Sequence, residues 1–466
     1  MRVIYFLAAA LLSLTAVQAQ DRFGQIQNLI PRDKTGINQF DVKKDSVEFK
    51  GLSLDLGAAF ALQFQAVNSF NGHQEGAFKG PTGNTITGYR LNNLANNFNL
   101  PTANMTIGAQ LFDGVRVNLD IYLAARHHNE TWVKGGYLQI DKLDFIKKDF
   151  LKDFMKYATI KIGQMENNYG DAHFRRSDNG NALMNPFIEG NIMDAFITEM
   201  GMEVYYNRNG WVSMIGVTNS KLNQNVAEFV PGKPTVAAPD QNTTVSPTVL
   251  AKLGYDKQLN KDLRVRLTGS LYHNANTSGN LYSSDRAGSR YYGVMTHAAY
   301  QNGTTAVDND FTKDLQGNQN TGRFNPGFGN KLTSVMINPF VKYKGLEFFG
   351  TIETAKGGNK KGMDESRTVN QFAGDVVYRF GKTEQFYVGG RYNTLSGKLD
   401  NVHANKISIN RFEASAGWFM TKNILSKLAY VNQQYKDFGQ FNANGAVNDL
   451  YQGKFNGLMF EAVITF

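Results

Sequence analysis

Hydrophobic and polar residues alternate along most of this chain with the two-residue period of β-strands. Between positions 52 and 66 every even residue is apolar, whereas the odd positions include Ser53, Asp55 and Gln63. The same alternation recurs in GLMFEAVITF (457–466), where the even positions are again apolar. Because side chains on a strand point to alternate faces, each predicted strand has one apolar face and one mixed face.

Short and long connections separate these alternating runs in turn. Asp113-Gly114 is the favoured dipeptide of a two-residue hairpin, and other short turns are predicted at 207–210, 256–261, 343–345, 381–384 and 421–423. Longer polar connections occupy 68–100, 167–194, 220–245, 274–330, 356–366, 396–405 and 437–452. The intervening strands are predicted at 50–67, 101–112, 115–127, 131–141, 157–166, 195–206, 211–219, 246–256, 261–273, 331–343, 345–355, 367–380, 384–395, 406–420, 424–436 and 453–466.

Sixteen such strands indicate an all-β fold, a transmembrane antiparallel β-barrel over residues 50–466 with short periplasmic turns and long extracellular loops. Aromatic residues support that orientation, because several lie at the short-turn ends of strands and on the apolar parity, where an interfacial girdle is expected. They are Trp211, Tyr255, Tyr343, Phe380, Phe386, Trp418 and Phe466. Core packing, the alternative explanation, would scatter such rings along the strands.

The first nineteen residues have the features of a secretory signal peptide. Arg2 precedes an apolar run from Val3 to Leu14, and Val17 and Ala19 are small-residue cleavage positions. Residues 20–49 are then an N-terminal periplasmic segment. The chain has no cysteine, so disulfides and thiolate metal sites are excluded. Its net charge of +9 does not indicate a nucleic-acid partner, because an exported chain rich in Gly, Phe and Tyr does not meet one.

A barrel of sixteen strands has a wide, water-filled lumen. Eleven basic residues of the chain are predicted to face inward, against nine acidic ones, so ion selectivity should be mild. The basic set is Arg116, Arg126, Lys161, Lys252, Arg264, Arg266, Lys342, Arg379, Arg391, Arg411 and Lys427; the acidic set is Asp55, Asp120, Glu199, Glu203, Glu347, Glu353, Asp375, Glu413 and Glu461.

Two other classes of function fit parts of the sequence. His173, Ser177 and Asp178 are close in sequence, as a barrel hydrolase would require, but proximity in sequence does not give a catalytic triad its geometry. A surface adhesin or structural barrel would explain the long connection 274–330 and would conduct few ions. No nucleophile elbow, metal-binding His pair or phosphate loop is found, so we predict no enzyme activity, no cofactor and no metal site.

The signal peptide, the strand count, the terminal Phe and the long loop after the fifth strand together resemble a Gram-negative outer-membrane porin. The segment NNYGDAHFRRSDNGNALMNPF (167–187) is similar to porins of Bacteroidota and resembles the phosphate-selective porin O and P family. The chain departs from general porins at the second long-side loop, which is almost absent (128–130). It also departs at the periplasmic connection 141–157, which is long and has the pattern of an amphipathic helix.

The resemblance implies passive diffusion of small hydrophilic solutes and ions through the outer membrane of a Gram-negative bacterium, with a mild preference for phosphate-like anions. It also implies outer-membrane lipids, the barrel assembly machinery and a homotrimer as partners. Porins of this kind fold the loop after the fifth strand into the lumen, so the constriction is predicted at Asp171, Arg175, Arg176, Asp178 and Glu189. The predicted pore wall is Arg116, Asp120, Arg126, Arg264, Arg266, Arg379 and Arg391, and the assembly signal is Phe460, Ile464 and Phe466.

Overall fold

The computed structural model describes residues 26–73, 76–99, 102–124, 131–176, 178, 180–220, 246–276, 281–282, 289–308, 320–329, 331–358, 366–398 and 406–466. Sixteen long antiparallel strands close into a barrel, which confirms the predicted fold. They are β1 (Ser53–Phe70), β5 (Thr102–Phe112), β6 (Val115–Ala124), β7 (Thr131–Ile140), β8 (Ala158–Glu166), β9 (Thr198–Arg208), β10 (Trp211–Thr218), β11 (Thr248–Gln258), β12 (Leu263–Asn274), β15 (Lys331–Tyr343), β16 (Leu346–Gly358), β17 (Arg367–Phe380), β18 (Phe386–Gly397), β19 (Ile407–Phe419), β20 (Ile424–Lys436) and β21 (Lys454–Thr465).

The barrel closes where β21 pairs with β1. The register runs without a break from Ala59 opposite Thr465 to Phe70 opposite Lys454. Phe466 extends this pairing, because its backbone N–H and C=O each form a 3.0 Å hydrogen bond with Ala58. Closure satisfies strand edges that would otherwise meet lipid unpaired, which a barrel cannot tolerate.

The outer wall of the barrel is apolar. Large hydrophobic side chains at alternate positions remain exposed, such as Ile215 at 66%, Leu253 at 61% and Leu267 at 55%. At the short-turn end the predicted aromatic rings form a row, in which Phe386 stacks between Phe380 at 5.7 Å and Trp418 at 6.2 Å. No helix among the described residues is long and apolar enough to cross a membrane. The closed barrel with its apolar wall lies in the outer membrane of a Gram-negative bacterium.

The long connections contain strands that the alternation did not predict. Four short strands, β2 (Phe78–Lys79), β3 (Thr85–Thr87), β13 (Ala299–Asn302) and β14 (Thr305–Asp308), form a second sheet at the extracellular end. β4 (Asn97–Phe98) adds to β1. Strands of two to four residues are too short to give a periodic signal.

The predicted helix over 141–157 is wrong for most of its length. Only Lys152–Met155, helix α1, is α-helical. Asp149 and Leu151 have positive φ values of 62° and 51°, and such residues interrupt a right-handed helix. The short 3₁₀ turns Lys34–Gly36 and Ala172–Arg175 are the other helical elements of the described chain.

Several sequence predictions lie outside the described residues, among them the signal peptide (1–19), the short loop 128–130, the wall residue Arg126 and most of the connection 220–245.

Candidate functional site: the lumen

Residues of the loop that follows β8 are buried against the inner wall of the barrel. Asp171 is fully buried and accepts hydrogen bonds from Nε and Nη2 of Arg266, at 2.7 and 3.0 Å. Lys252 at 3.1 Å and Thr268 at 2.7 Å donate to the same carboxylate. Since all three partners are on β11 and β12, this carboxylate fixes the start of the loop, residues 167–194 (the inner loop), to that side of the lumen.

The two adjacent arginines of the inner loop point to different partners. Arg175 is 3.2 Å from Glu347 on the barrel wall and lies over the ring of Phe349. Arg176 instead makes a bidentate contact with Asp194, at 2.8 Å for both nitrogens. Arg175 therefore connects the loop to the wall, and Arg176 connects the first half of the loop to its last residue.

Asp178 and Glu189 complete the predicted constriction set. Asp178 accepts a hydrogen bond from Lys134 on β7 at 2.5 Å. Glu189 is buried and contacts Arg323 at 2.8 Å and the backbone N–H of Arg290 at 2.7 Å. The five residues thus spread along the inner loop and meet different parts of the wall and of the extracellular connection, instead of forming a single ring.

The predicted wall charges that the structure describes point into the barrel; Arg264, Arg266, Arg379 and Arg391 form ion pairs with carboxylates, whereas Arg116 and Asp120 have neutral hydrogen-bond partners. Arg379 contacts Glu347 at 2.8 Å and Arg391 contacts Asp375 at 2.7 Å. The other contacts are Arg264 with Asp256 at 2.6 Å, Arg116 with Gln139 at 2.7 Å and Asp120 with Thr106 at 2.7 Å. Pairing along the wall cancels much of the long-range field of these charges.

An N-terminal segment, residues 26–50, also lies against the lumen wall at the periplasmic end. Phe40 is 1% exposed and packs on Phe340 at 5.2 Å. Elsewhere along the segment, Arg32 pairs with Asp55 at 2.6 Å, Asn38 donates to Glu347 at 2.7 Å, and Lys44 pairs with Asp141.

The segment folds back on itself across the mouth of the barrel. Asn28 and Asp45 exchange hydrogen bonds of 2.6 and 2.8 Å, and the backbone N–H of Lys34 donates to Lys422 in the β19–β20 turn at 2.8 Å. Sequence reasoning missed this arrangement, because residues 26–50 have no strand or helix period. The available signal was a set of apolar residues without a period, including the aromatic residues Phe40 and Phe49.

A polar cavity of about 290 Å³ remains between the inner loop, the N-terminal segment and strands β5 to β9. Its lining includes Arg116, Asp120, Lys134, Lys161 and Glu203. Lys161 lies over the rings of Tyr137 and Tyr205, at 5.1 and 5.2 Å from their centres. Opposite this cavity, the lumen is filled by buried side chains of the inner loop and extracellular connections, among them Ile192, Tyr291 and Phe328.

The described members of the proposed hydrolase set, His173 and Asp178, do not contact each other as a catalytic pair would. The ring of His173 hydrogen-bonds to Asn168 at 2.9 Å, while Asp178 contacts Lys134 and Arg176. Ser177 lies outside the described residues.

Comparison with known proteins finds similar structures but no similar sequence. No protein-family model matches it, and no curated protein sequence matches it. Among solved structures, it is similar to OmpT of Vibrio cholerae carrying a deletion of loop L8, with a TM-score of 0.46, 10% identity, and coverage of 90% of this chain and 100% of that chain.

Two further solved structures show a comparable likeness. An anion-selective porin from Comamonas acidovorans has a TM-score of 0.44 at 10% identity, covering 89% of this chain and 100% of that chain. The outer membrane channel DcaP of Acinetobacter baumannii has 0.45 at 10% identity, covering 90% and 99%.

Proposed function

We propose that this chain is a porin, which lets small hydrophilic solutes and ions diffuse passively across the outer membrane. The observation that carries this proposal is the charged cavity of about 290 Å³ inside a closed barrel. A cavity lined by Arg116, Asp120, Lys134, Lys161 and Glu203 offers hydrated ions charged and polar groups of both signs. Such a lining tunes which solutes pass without forming a catalytic centre.

The inner loop is the proposed constriction. Its anchors at Asp171, Arg175 and Asp178 hold it against three parts of the wall, so that free volume is left on the β5 to β9 side. Asp178 and His173 lie at the edge of that volume. The fixed loop narrows the lumen, so a passing ion comes close to the remaining wall charges. Their fields then act on it, because they extend over a Debye length of about 8 Å at physiological salt.

A mild anion preference is part of the proposal. Arg116 donates to the amide oxygen of Gln139 and to the carbonyl of Asn28, and the other two nitrogens of its guanidinium group are buried without a hydrogen bond to any described residue. Lys161 contacts aromatic rings. These two cations are therefore less neutralised than the paired arginines elsewhere on the described wall. The same proposal includes the resemblance to Bacteroidota porins and to phosphate-selective porins, assembly as a homotrimer, and recognition by the barrel assembly machinery.

The test is single-channel recording of the purified protein in planar bilayers, with potassium chloride gradients to measure ion preference. We expect stable open steps and a reversal potential displaced toward anions. Lys161→Glu should displace the reversal potential toward cations, and more strongly at low salt than at high salt. Lys257→Glu makes the same charge change at an exposed position near the periplasmic turn and should leave it unchanged. A protein that folds without conducting would instead favour the adhesin or structural barrel.

A further inference from the structure

The periplasmic connection, residues 141–157, exposes an unusual number of large apolar side chains. Within ten residues, Phe145, Ile146, Phe150, Leu151 and Phe154 are between 39% and 61% exposed. A concentration of exposed apolar side chains in so short a segment indicates a site of contact with a membrane or a partner. The apolar residues of a water-facing loop would be scattered singly.

The connection packs on the outside of the barrel. Met155 is 3% exposed and clusters with Ile140 and Ala158, and Leu143 and Tyr206 pack against the same cluster. Ile140, Ala158 and Tyr206 lie on the lipid-facing side of β7, β8 and β9, respectively. Ile162 on β8 and Met202 on β9 have the same parity as Ala158 and Tyr206, and each is 44% exposed. The connection thus covers the periplasmic ends of three strands on their lipid-facing side.

The exposed apolar face is continuous with the lipid-facing wall. The ring of Phe154 stacks on Tyr206 with centroids 5.5 Å apart, and Tyr157 lies next to the same ring at 5.9 Å. Basic side chains accompany this surface: Lys156 and Arg208 lie over the ring of Tyr157, at 5.6 and 4.9 Å. Aromatic rings flanked by lysine and arginine are typical of side chains at the boundary between acyl chains and headgroups.

We propose that the connection 141–157 is a membrane-interface anchor that inserts Phe145, Ile146, Phe150, Leu151 and Phe154 into the periplasmic leaflet of the outer membrane. The occupant of the apolar face is phospholipid, since the face continues the established lipid-facing wall at the short-turn side. Interfacial segments of this type bury their apolar face about 5–10 Å into the headgroup and acyl boundary. Lys147, Lys148 and Lys156 then reach headgroup phosphates. The inference does not depend on the channel activity proposed above.

The absence of cysteine from the chain permits a clean labelling experiment. Ile146→Cys is labelled with a nitrobenzoxadiazole dye and reconstituted into phosphatidylethanolamine and phosphatidylglycerol vesicles, with and without lipids brominated near the headgroup end of the acyl chains. We expect blue-shifted emission, loss of fluorescence in brominated bilayers and protection from aqueous iodide. Lys382→Cys, in the exposed turn between β17 and β18, is the matched control and should show the opposite on all three measures.

A second label at Phe150→Cys guards against a local effect of one substitution and should behave like the label at position 146. Iodide quenching at both positions, without quenching by brominated lipid, would overturn the proposal and leave the face to a periplasmic protein. Protection of the labels from iodide only at a high ratio of protein to lipid would assign the face to a second copy of the chain. That result would also overturn the proposal. Conductance of the same variants reports the channel separately.

Discussion

The parity of a single side chain decides whether it meets lipid or the lumen. Leu253 is 61% exposed in the middle of β11, while its neighbour Lys252 is 2% exposed and binds the inner loop. The sequence predicted this division of faces from alternation alone, because the strand period is strict. It could not predict that Lys252 meets Asp171, since the two are 81 positions apart and only the docking of a loop brings them together.

Leu253→Arg should destabilise the barrel, because a lipid-facing arginine near the midplane costs about 2–4 kcal/mol. Leu346→Arg is the control: Leu346 is 46% exposed at the start of β16, beside a short turn, where the same change costs about 0–1 kcal/mol. Urea unfolding in phospholipid vesicles measures both. Equal losses at the two positions would contradict the assignment of depth along the wall.

Asp171→Ala should release the inner loop. It leaves Lys252 and Arg266 buried with one partner fewer, and breaking a buried ion pair typically costs about 3–5 kcal/mol. We expect a lower unfolding temperature and larger, noisier conductance steps. Asp153→Ala, which removes an exposed carboxylate from helix α1, should change neither property. A variant that conducts like the parent would show that the loop does not limit the pore.

Elements differ in how far the sequence determines them. The long strands were predicted within a few residues, since each has its own apolar face and turn residues. The inner loop was placed in the lumen only through a family resemblance. The N-terminal segment was predicted as a separate periplasmic piece without a role, because its fold depends on contacts with strands far along the chain, such as Asn38 with Glu347.

Removing residues 26–48 should raise the single-channel conductance. The segment crosses the periplasmic mouth and lines the same cavity as the wall charges, through Arg32 and Val42. The folded barrel should still form, because the strands pair with one another and not with this segment; a heat-modifiable band on electrophoresis is the check. Unchanged conductance with a normal band would mean that ions pass elsewhere.

The attachment of this segment should weaken in acid. Burial raises the pKa of Asp141, but the charge of Lys44 and hydrogen bonds from Lys44 and Thr159 outweigh it and hold the pKa below the ordinary range. The stabilisation is therefore complete above the usual aspartate pKa of about 3.9 and is lost as the pH falls through the lower folded value. We expect conductance to rise below about pH 4. In Lys44→Met that step should be smaller; an identical step would place its origin in another group.

For the molecule as a whole, the closing seam between β1 and β21 determines the shape, because every other pairing among the sixteen barrel strands joins strands that follow one another in the barrel sequence. Phe60 lies directly opposite Ile464, two residues from the hydrogen-bonded pair of Ala58 and Phe466. Hydrogen-bonded and non-hydrogen-bonded pairs alternate along an antiparallel ladder, so this pair is also hydrogen-bonded and its Cα atoms are about 5.5 Å apart. That separation is within the range that a disulfide spans.

Phe60→Cys combined with Ile464→Cys should therefore form a disulfide on mild oxidation of the folded barrel, with no competing thiol because the chain has no cysteine. The product is a cyclised chain, seen as an altered electrophoretic mobility of the denatured protein that reverts on reduction. Phe60→Cys with Phe460→Cys is the control, because Phe460 pairs with Phe64 and four residues of strand separate the thiols by about 13 Å. Cross-linking of the control instead of the matched pair would mean that the seam closes in a shifted register, which would also change the tilt of the strands and the width of the lumen.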